Sequence, residues 1–304
     1  MQSTALKSVD VPFGMTKANY QAPAFVVSGR TEIGFADGIS FMSTVGAVAL
    51  AGPIGFAADL VQAGSDFVVF AYPDGTATAF PLGTEPSIDG GAVIGGFHYA
   101  PGGNATGTSG GDDVPAINPY SCWDLNFRPA CESAAGMALV DGRFWCDIYL
   151  TGCDHPTLGT SSFGDFIADG DDTPKRIDDG VHDRFDFETA KAVLAEHGKQ
   201  LLGAEEFFAM AYGVTERSAA GTDPQRTGLD APRTSKWGIM QATGNMWTWG
   251  TDGHPDVPRA SLFGGSGLNG SSAGSRCADL DCWPGRSGRA VGARGRSDHL
   301  IHAD

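Results

Sequence analysis

The sequence predicts an α+β fold dominated by strands and split into two domains near residue 110, and three observations carry that expectation. Glycine is abundant, at 44 of 304 residues, while charged residues make up only 18%, a composition suited to turns and irregular loops more than to long helices. Short β-branched and aromatic runs bounded by turn residues recur through the first hundred positions. The tract PGGNATGTSGGDD at 101–113 then interrupts them, and so polar a segment is expected to bury too little to hold one conformation. The expected organisation is therefore a β-rich domain over residues 1–100, serving display or oligomerisation, a linker over 101–118, and a second domain over 119–304.

In the first domain, residues 24–27, 44–50 and 67–72 read as strands, with a short helix near 56–62. Pro73-Asp74-Gly75 ties the third strand to the alternating segment 76–80 as a hairpin. In the second domain, GMALV and RFWCDIYL flank Asp141-Gly142 and predict another strand pair. Period two places Phe144, Cys146, Ile148 and Leu150 on one face and Trp145, Asp147 and Tyr149 on the other, as expected of a central strand covered on both sides. Residues 185–198 predict the best helix: Asp186 caps it, Glu188 sits in the positive first turn, Ala190, Val193, Leu194 and His197 line one side, and Gly198 ends it. A second helix is expected over 204–212, partly burying Phe207, Phe208, Met210 and Ala211. The run TSKWGIMQATGNMWTWG at 234–250 is the densest in aromatic residues. Trp237, Met240, Met246, Trp247 and Trp249 are expected in the core, each buried ring removing roughly 150–250 Å² from water.

Charge and composition narrow the function. A net charge of −16 disfavours nucleic acid and anionic membranes as partners. From Arg259 onward, however, six Arg face four Asp, which makes either a local basic patch or a set of loop-tying guanidinium groups. No apolar run reaches the length of a membrane-spanning helix. MQSTALKSVDVPFG at 1–14 lacks the basic start and apolar core of a secretory signal, so export, if any, is expected by assembly into a particle or by a route the sequence does not show, and Asn104-Ala105-Thr106 is not expected to carry a glycan. Six cysteines without a CxxC spacing indicate neither a disulfide scaffold nor a zinc site. Gly264-Gly265-Ser266-Gly267 is not a nucleophile elbow, and His299 with His302 are too few for a metal centre. No catalytic residue, metal or cofactor is expected, save that a structural calcium ion could sit among the acidic loops of 165–172, which read equally well as a solvated turn.

The remaining signal lies in SLFGGSGLNGSSAGSRCADLDCWPGRSGRAVGARGRSDHL at 261–300. Blocks of regular appearance, Gly264-Gly265, Ala273 to Arg276, Trp283-Pro284 and Gly292 to Arg296, alternate with a scatter of small, polar and charged residues. From Ser261 to Asp304 there is no Lys, Glu, Gln or Met. Asparagine codons of the form AAC whose adenines are freely replaced can yield Ser, Gly, Asp, Leu, Arg, Cys and Ala, but never Lys, Glu, Gln, Met or Trp, so Trp283 belongs to the framework.

The framework GG…AGSR…WP…VGARGRSDHL, with GNMWTWG at 244–250, resembles that of the variable proteins of diversity-generating retroelements, over roughly the last 180 residues. The resemblance implies a C-type-lectin-like fold for 119–304, with a variable region at about 261–300 and a last strand near 290–296 lying beside 137–150. It implies a ligand-binding surface built from Ser266, Gly267, Leu268, Asn269, Ser272, Cys277, Asp279, Asp281, Cys282, Gly285, Arg286, Gly288, Arg289 and Ala290. Glycines, Arg276, Arg294 and Asp298 would hold the backbone by internal hydrogen bonds. The implied partner is a protein or glycan receptor on a target cell, and the implied location a phage tail tip or a cell surface. None of the fourteen is Tyr or Phe, so each site is expected to bind weakly and to rely on several copies. Two other readings share the fold. A copper enzyme of the formylglycine-generating type would use Cys277 and Cys282, although they fall in the scatter between framework blocks. A fixed calcium lectin would need Glu-Pro-Asn and Trp-Asn-Asp, whereas Glu85-Pro86-Ser87 lies in the wrong domain and Cys122-Trp123-Asp124 lacks the Asn.

Overall fold

The computed structural model describes residues 14–300 except Val45, Ile177, Asp179 and 256–258; residues 1–13 and His302 lie outside the described residues. The chain begins with β1 (Met15–Thr16), β2 (Phe25–Val27), β3 (Ile33–Phe35), β4 (Ile39–Ser43) and β5 (Gly46–Leu50). It continues with β6 (Ser65–Ala71), β7 (Ala77–Pro81), β8 (Ala92–Ala100), β9 (Ala116–Ile117) and β10 (Trp123–Asp124). β1, β4 and β5 form one sheet, β2 and β3 a hairpin, and β10-β8-β6-β7, with β9 beside β8, a second sheet. The expected strands and the 73–75 hairpin are present, while the helix expected at 56–62 is one 3₁₀ turn at Ala58–Leu60. Phe56 explains the brevity, because its ring meets Phe67, Phe97 and Tyr99 edge-on at 5.0, 5.3 and 5.2 Å, which anchors this segment to the sheet as a loop. Lys17 and Asp124 form a buried ion pair at 2.7 Å, and Asp124 also accepts from the Ala24 amide.

The Gly/Ser/Asp tract is not the loose linker its composition suggests. Gly110 and Gly111 donate backbone hydrogen bonds to Gly213 and Ala231 at 2.9 and 2.8 Å, and Ala105 donates to Ser235 at 3.1 Å. The Asn104 amide donates to Asn118 and to the Lys236 carbonyl, so the residue of the glycan motif is engaged in packing. Asp112 accepts from the Gly103 and Val114 amides and from Arg30. Residues 106–109 form an exposed tip, and Asp113 is exposed at the far end of the tract. The tract is a strap laid against the C-terminal body, and its polar groups are satisfied by loop backbone that its sequence could not reveal.

The C-terminal body contains β11 (Met137–Val140), β12 (Phe144–Asp147), α1 (His155–Leu158), α2 (Phe187–Ala195), β13 (Gln200–Leu201) and α3 (Ala204–Met210), followed by β14 (Trp247–Gly250), β15 (Ala260–Phe263), β16 (Ala278–Cys282), β17 (Val291–Gly292) and β18 (Gly295–Asp298). Strand order is β11-β12-β18-β13 in one sheet and β16-β15-β14-β17 in another. The closing strand does lie against β12, with Trp145 opposite Ser297 and Cys146 opposite Arg296, but it is β18 at Gly295–Asp298; the first part of the expected 290–296 strand is instead β17, paired with β14. Residues 144–150 are all buried, although the ladder stops at Asp147. The Asp186 carboxylate caps α2 by accepting from the Thr189 amide, and Gly198 takes a left-handed φ of 72° after its end. The indole of Trp249 is completely buried, whereas Trp247, expected in the core, is half-buried: it shares a face with Trp249 but opens β14, where it pairs with Val291 of β17, while the β15 partners begin at Thr248.

Buried polar groups lock the closing strand in place. Arg294, fully buried, donates to the carbonyls of Asp147, Ile148 and Met240 at 2.7–2.8 Å; burial disfavours its charge, and the carbonyls offset that cost. Asp147 accepts from Lys199 at 2.5 Å and from the Gly295 amide at 3.1 Å. Burial alone would raise the Asp147 pKa, but Lys199 and His155 pull it below the ordinary carboxylate value. The two bodies meet through His98, which lies 3.0 Å from both Asp66 and the Tyr149 hydroxyl.

Candidate ligand-binding surface

The surface rests on the β14–β15–β16 strands. At the end of β15, Gly264 and Gly265 both adopt left-handed φ angles, 89° and 79°, which turn the chain where an L side chain would be strained. The turn is tied inward: Gly264 donates to Cys277 at 2.8 Å and accepts from Gly244 and Gly274, while Gly267 donates to Asn245 at 2.8 Å. The fixed-looking GG and AG blocks of 261–300 are thus the points at which the loop is fastened. The second exposed loop, 283–290, is fastened at its base, where Phe187 donates to Pro284 and Trp247 to Ala290, and Phe185 donates to the Ser287 hydroxyl at 3.1 Å.

Among the fourteen sequence-selected positions, Leu268, Ser272, Asp281, Arg286 and Arg289 are exposed, and Asn269, Cys277, Asp279, Gly285, Gly288 and Ala290 are partly so. Three are not displayed. Ser266 is buried beneath its own turn, where its amide donates to the Asn269 side chain at 2.7 Å. Gly267 is buried, and a Cβ there would lie 2.0 Å from the Thr222 carbonyl oxygen. Cys282 is buried in the cluster around Trp249 and Leu262.

A β-bulge accounts for Cys282. Leu262 pairs with Asp279, and Ala260 with Cys282, so β16 spends one more residue than β15 between the two pairs. The extra residue swaps the faces, turning Cys282 inward while Leu280, which period two groups with it, points out at 49% exposure. The bulge also bears on the copper reading. Cys277 and Cys282 are both free thiols, and about 16 Å of extended chain separates five residues. That is too far for one metal ion with thiolate ligands at roughly 2.3 Å. Burial raises both thiol pKa values, which also disfavours thiolate.

The arginines divide between the two readings left open by the sequence. Arg294 is an internal brace, Arg296 pairs with Glu206 and Asp298, and Arg259 pairs with Asp281 at 3.2 Å. Arg276, Arg286 and Arg289 are exposed; Arg276, expected to brace the backbone, faces solvent. Asp298 pairs through its side chain with Arg296 and through its carbonyl with the Ala130 amide. The acidic loop is self-satisfied, Asp169 accepting from the Asp171 and Asp172 amides, and no group of three or more His, Cys, Asp or Glu converges among the described residues. His299 accepts from the Trp145 indole at 2.9 Å, a loop anchor as its position suggests. Sequence reasoning missed two displayed apolar residues, Leu280 and Trp283, the latter 64% exposed. The signal for Trp283 was its place between a strand and a Pro-Gly turn, where a bulky framework residue has no core to enter.

Known proteins place this chain. A family model described as the Mtd second domain matches residues 24–124, which span the N-terminal strands and the strap. A tail fiber receptor-binding protein of Bordetella phage BPP-1 is 39% identical over 282 residues, covering 79% of this chain and 73% of that protein. The chain belongs to the Mtd family. Two solved members, the Major Tropism Determinant I1 and M1 variants, superpose with TM-scores of 0.90 and 0.89 at 35% identity, over 95% of this chain and 86% of theirs. The β-rich, C-type-lectin-like architecture expected from the C-terminal framework is that of the Mtd proteins, and the relatives carry the names of receptor-binding and tropism proteins, not of enzymes.

Proposed function

We propose that this Mtd-family protein is a receptor-binding protein of a phage tail fiber, whose C-terminal lectin-like body presents a diversified surface to a protein or glycan on a target cell. The observation that carries the reading is the division within residues 264–290. The backbone is hydrogen-bonded to the body, while Leu268, Ser272 and Arg289 project from it and Asp281 and Arg286, also exposed, make only local contacts, with Arg259 and Cys282. Such residues can change identity at little cost in stability. The β-rich N-terminal body and its strap hold that surface away from the particle, and several copies on one particle would multiply a weak contact. No helix among the described residues is long and apolar enough to cross a membrane, which fits attachment through protein contacts.

The test is binding of the labelled full chain to a panel of intact bacterial cells, with L268A, R286A and R289A combined in one variant. The reading expects a cell type bound by wild type, a loss of binding of at least tenfold in the variant, and an unchanged melting temperature. Saturable binding that ignores the three substitutions would overturn the assignment of this surface. A single sugar bound equally by chains differing at these positions would favour a fixed lectin.

A further inference from the structure

We infer that Trp283 is a constant anchor inside the changeable surface, that the neighbouring position 285 steers its indole, and that its partner is an acidic protein face with an apolar recess. The inference rests on the receptor-binding reading and adds to it a contact that does not vary. Trp283 is 64% exposed, yet its backbone is held on both sides. Cys282 is buried before it, the Pro284 carbonyl accepts from Phe187 at 3.1 Å after it, and its own carbonyl accepts from the Arg286 amide at 3.0 Å. A large ring kept in water by a fastened turn contributes nothing to the core, and its apolar surface becomes useful when a partner covers it. Because Trp is unreachable from a modified AAC codon, diversification would leave it in every copy.

Position 285 is different. A Cβ built on Gly285 would lie 2.6 Å from the Trp283 indole nitrogen, so any larger residue must push the exposed ring to a new pose. Arg259 stands on another side, its guanidinium 6.0 Å from the ring centroid and paired with Asp281 at 3.2 Å. One variable residue can thereby re-aim a constant aromatic group. The partner's chemistry follows from the surroundings. Leu280 adds apolar surface at 49% exposure, and along the same segment the exposed Arg276, Arg286 and Arg289 outnumber Asp279 and Asp281, the latter already paired with Arg259, on a chain whose net charge is −16. A cationic, apolar patch on an acidic body selects an acidic face, and an indole suits an apolar recess within it.

The experiment uses the full chain against bacterial cells that bind wild type, with and without prior proteolytic shaving of the cell surface, and compares W283A, W283F and G285S. Truncating a buried aromatic anchor is expected to weaken binding about thirtyfold, with W283F retaining most of it and all three variants melting with wild type. Shaving should abolish binding, and added salt should weaken it. Without any cells, G285S should change the iodide-quenchable part of the tryptophan emission, the part that W283F removes. Binding by W283A within twofold of wild type, while the L268A/R286A/R289A variant loses it, would overturn the anchor and leave the receptor-binding reading standing. Binding that survives shaving would replace the protein partner with a glycan. A wild-type chain that binds no cell type would overturn both.

Discussion

Two glycine-rich tracts, 101–113 and 264–290, look alike on the page and behave differently in the molecule. In the first, glycine allows close approach: a Cβ on Gly111 would lie 2.0 Å from the Gly103 carbonyl oxygen, and one on Gly102 would lie 2.2 Å from that of Asp112. In the second, the space around glycine varies from one position to the next. Gly267 would meet Thr222 at 2.0 Å, whereas Gly288, further along, has nothing within 4 Å of its would-be Cβ. The lesson is that glycine content reports neither flexibility nor rigidity. What decides is whether another stretch of backbone occupies the space a side chain would need.

The sharpest way to test that contrast is G111A beside G267A. Both place a methyl group against an immobile carbonyl, and each should lower stability by about 2–3 kcal/mol in denaturant unfolding. A loss under 0.5 kcal/mol for G111A would return the strap to the status of a loose linker. G288A and L268A come next, expected within about 0.5 kcal/mol of wild type in the same measurement; a large loss at either would mean that the displayed loop supports the fold. The smallest effect is acidic. The hydrogen-bonded guanidinium of Arg30 holds the Asp112 carboxyl at about 2, below its value of about 3.9 in the unfolded chain. The pair's contribution is therefore complete above the unfolded value and is lost as pH falls through the folded one. Both side chains are nearly half exposed, so the loss should be a few tenths of a kcal/mol, visible as an acid-dependent stability difference between wild type and D112N that high salt erases.

Much of the scaffold was legible because its causes are local. The Asp186 cap, the alternation through 144–150 and the turn residues at 73–75 and 141–142 each act within a few positions. Trp247 shows the limit: counting aromatics places it in the core, but it opens β14 ahead of the residues paired with β15, so Trp249 is hidden while its same-face neighbour stays at the edge. In the candidate site, eleven of the fourteen chosen residues retain accessible surface. Ser266, Gly267 and Cys282 do not, since a turn folding back on its own Asn269, the passage of Thr222 and a one-residue bulge are set by segments that sequence adjacency does not reveal.

By itself, the sequence carried the expectation that framework blocks alternate with rewritable positions, because the absence of four residue types and the recurrence of Gly, Arg and Trp-Pro blocks are properties of the chain alone. Only the tertiary structure decided which of the fourteen expected side chains meet solvent, that the polar strap is fastened, and that Trp283 stands outside the core. The physical reason is that exposure is a relation between distant segments. A residue's chemistry is written at its own position, but the surface that covers it comes from elsewhere in the fold.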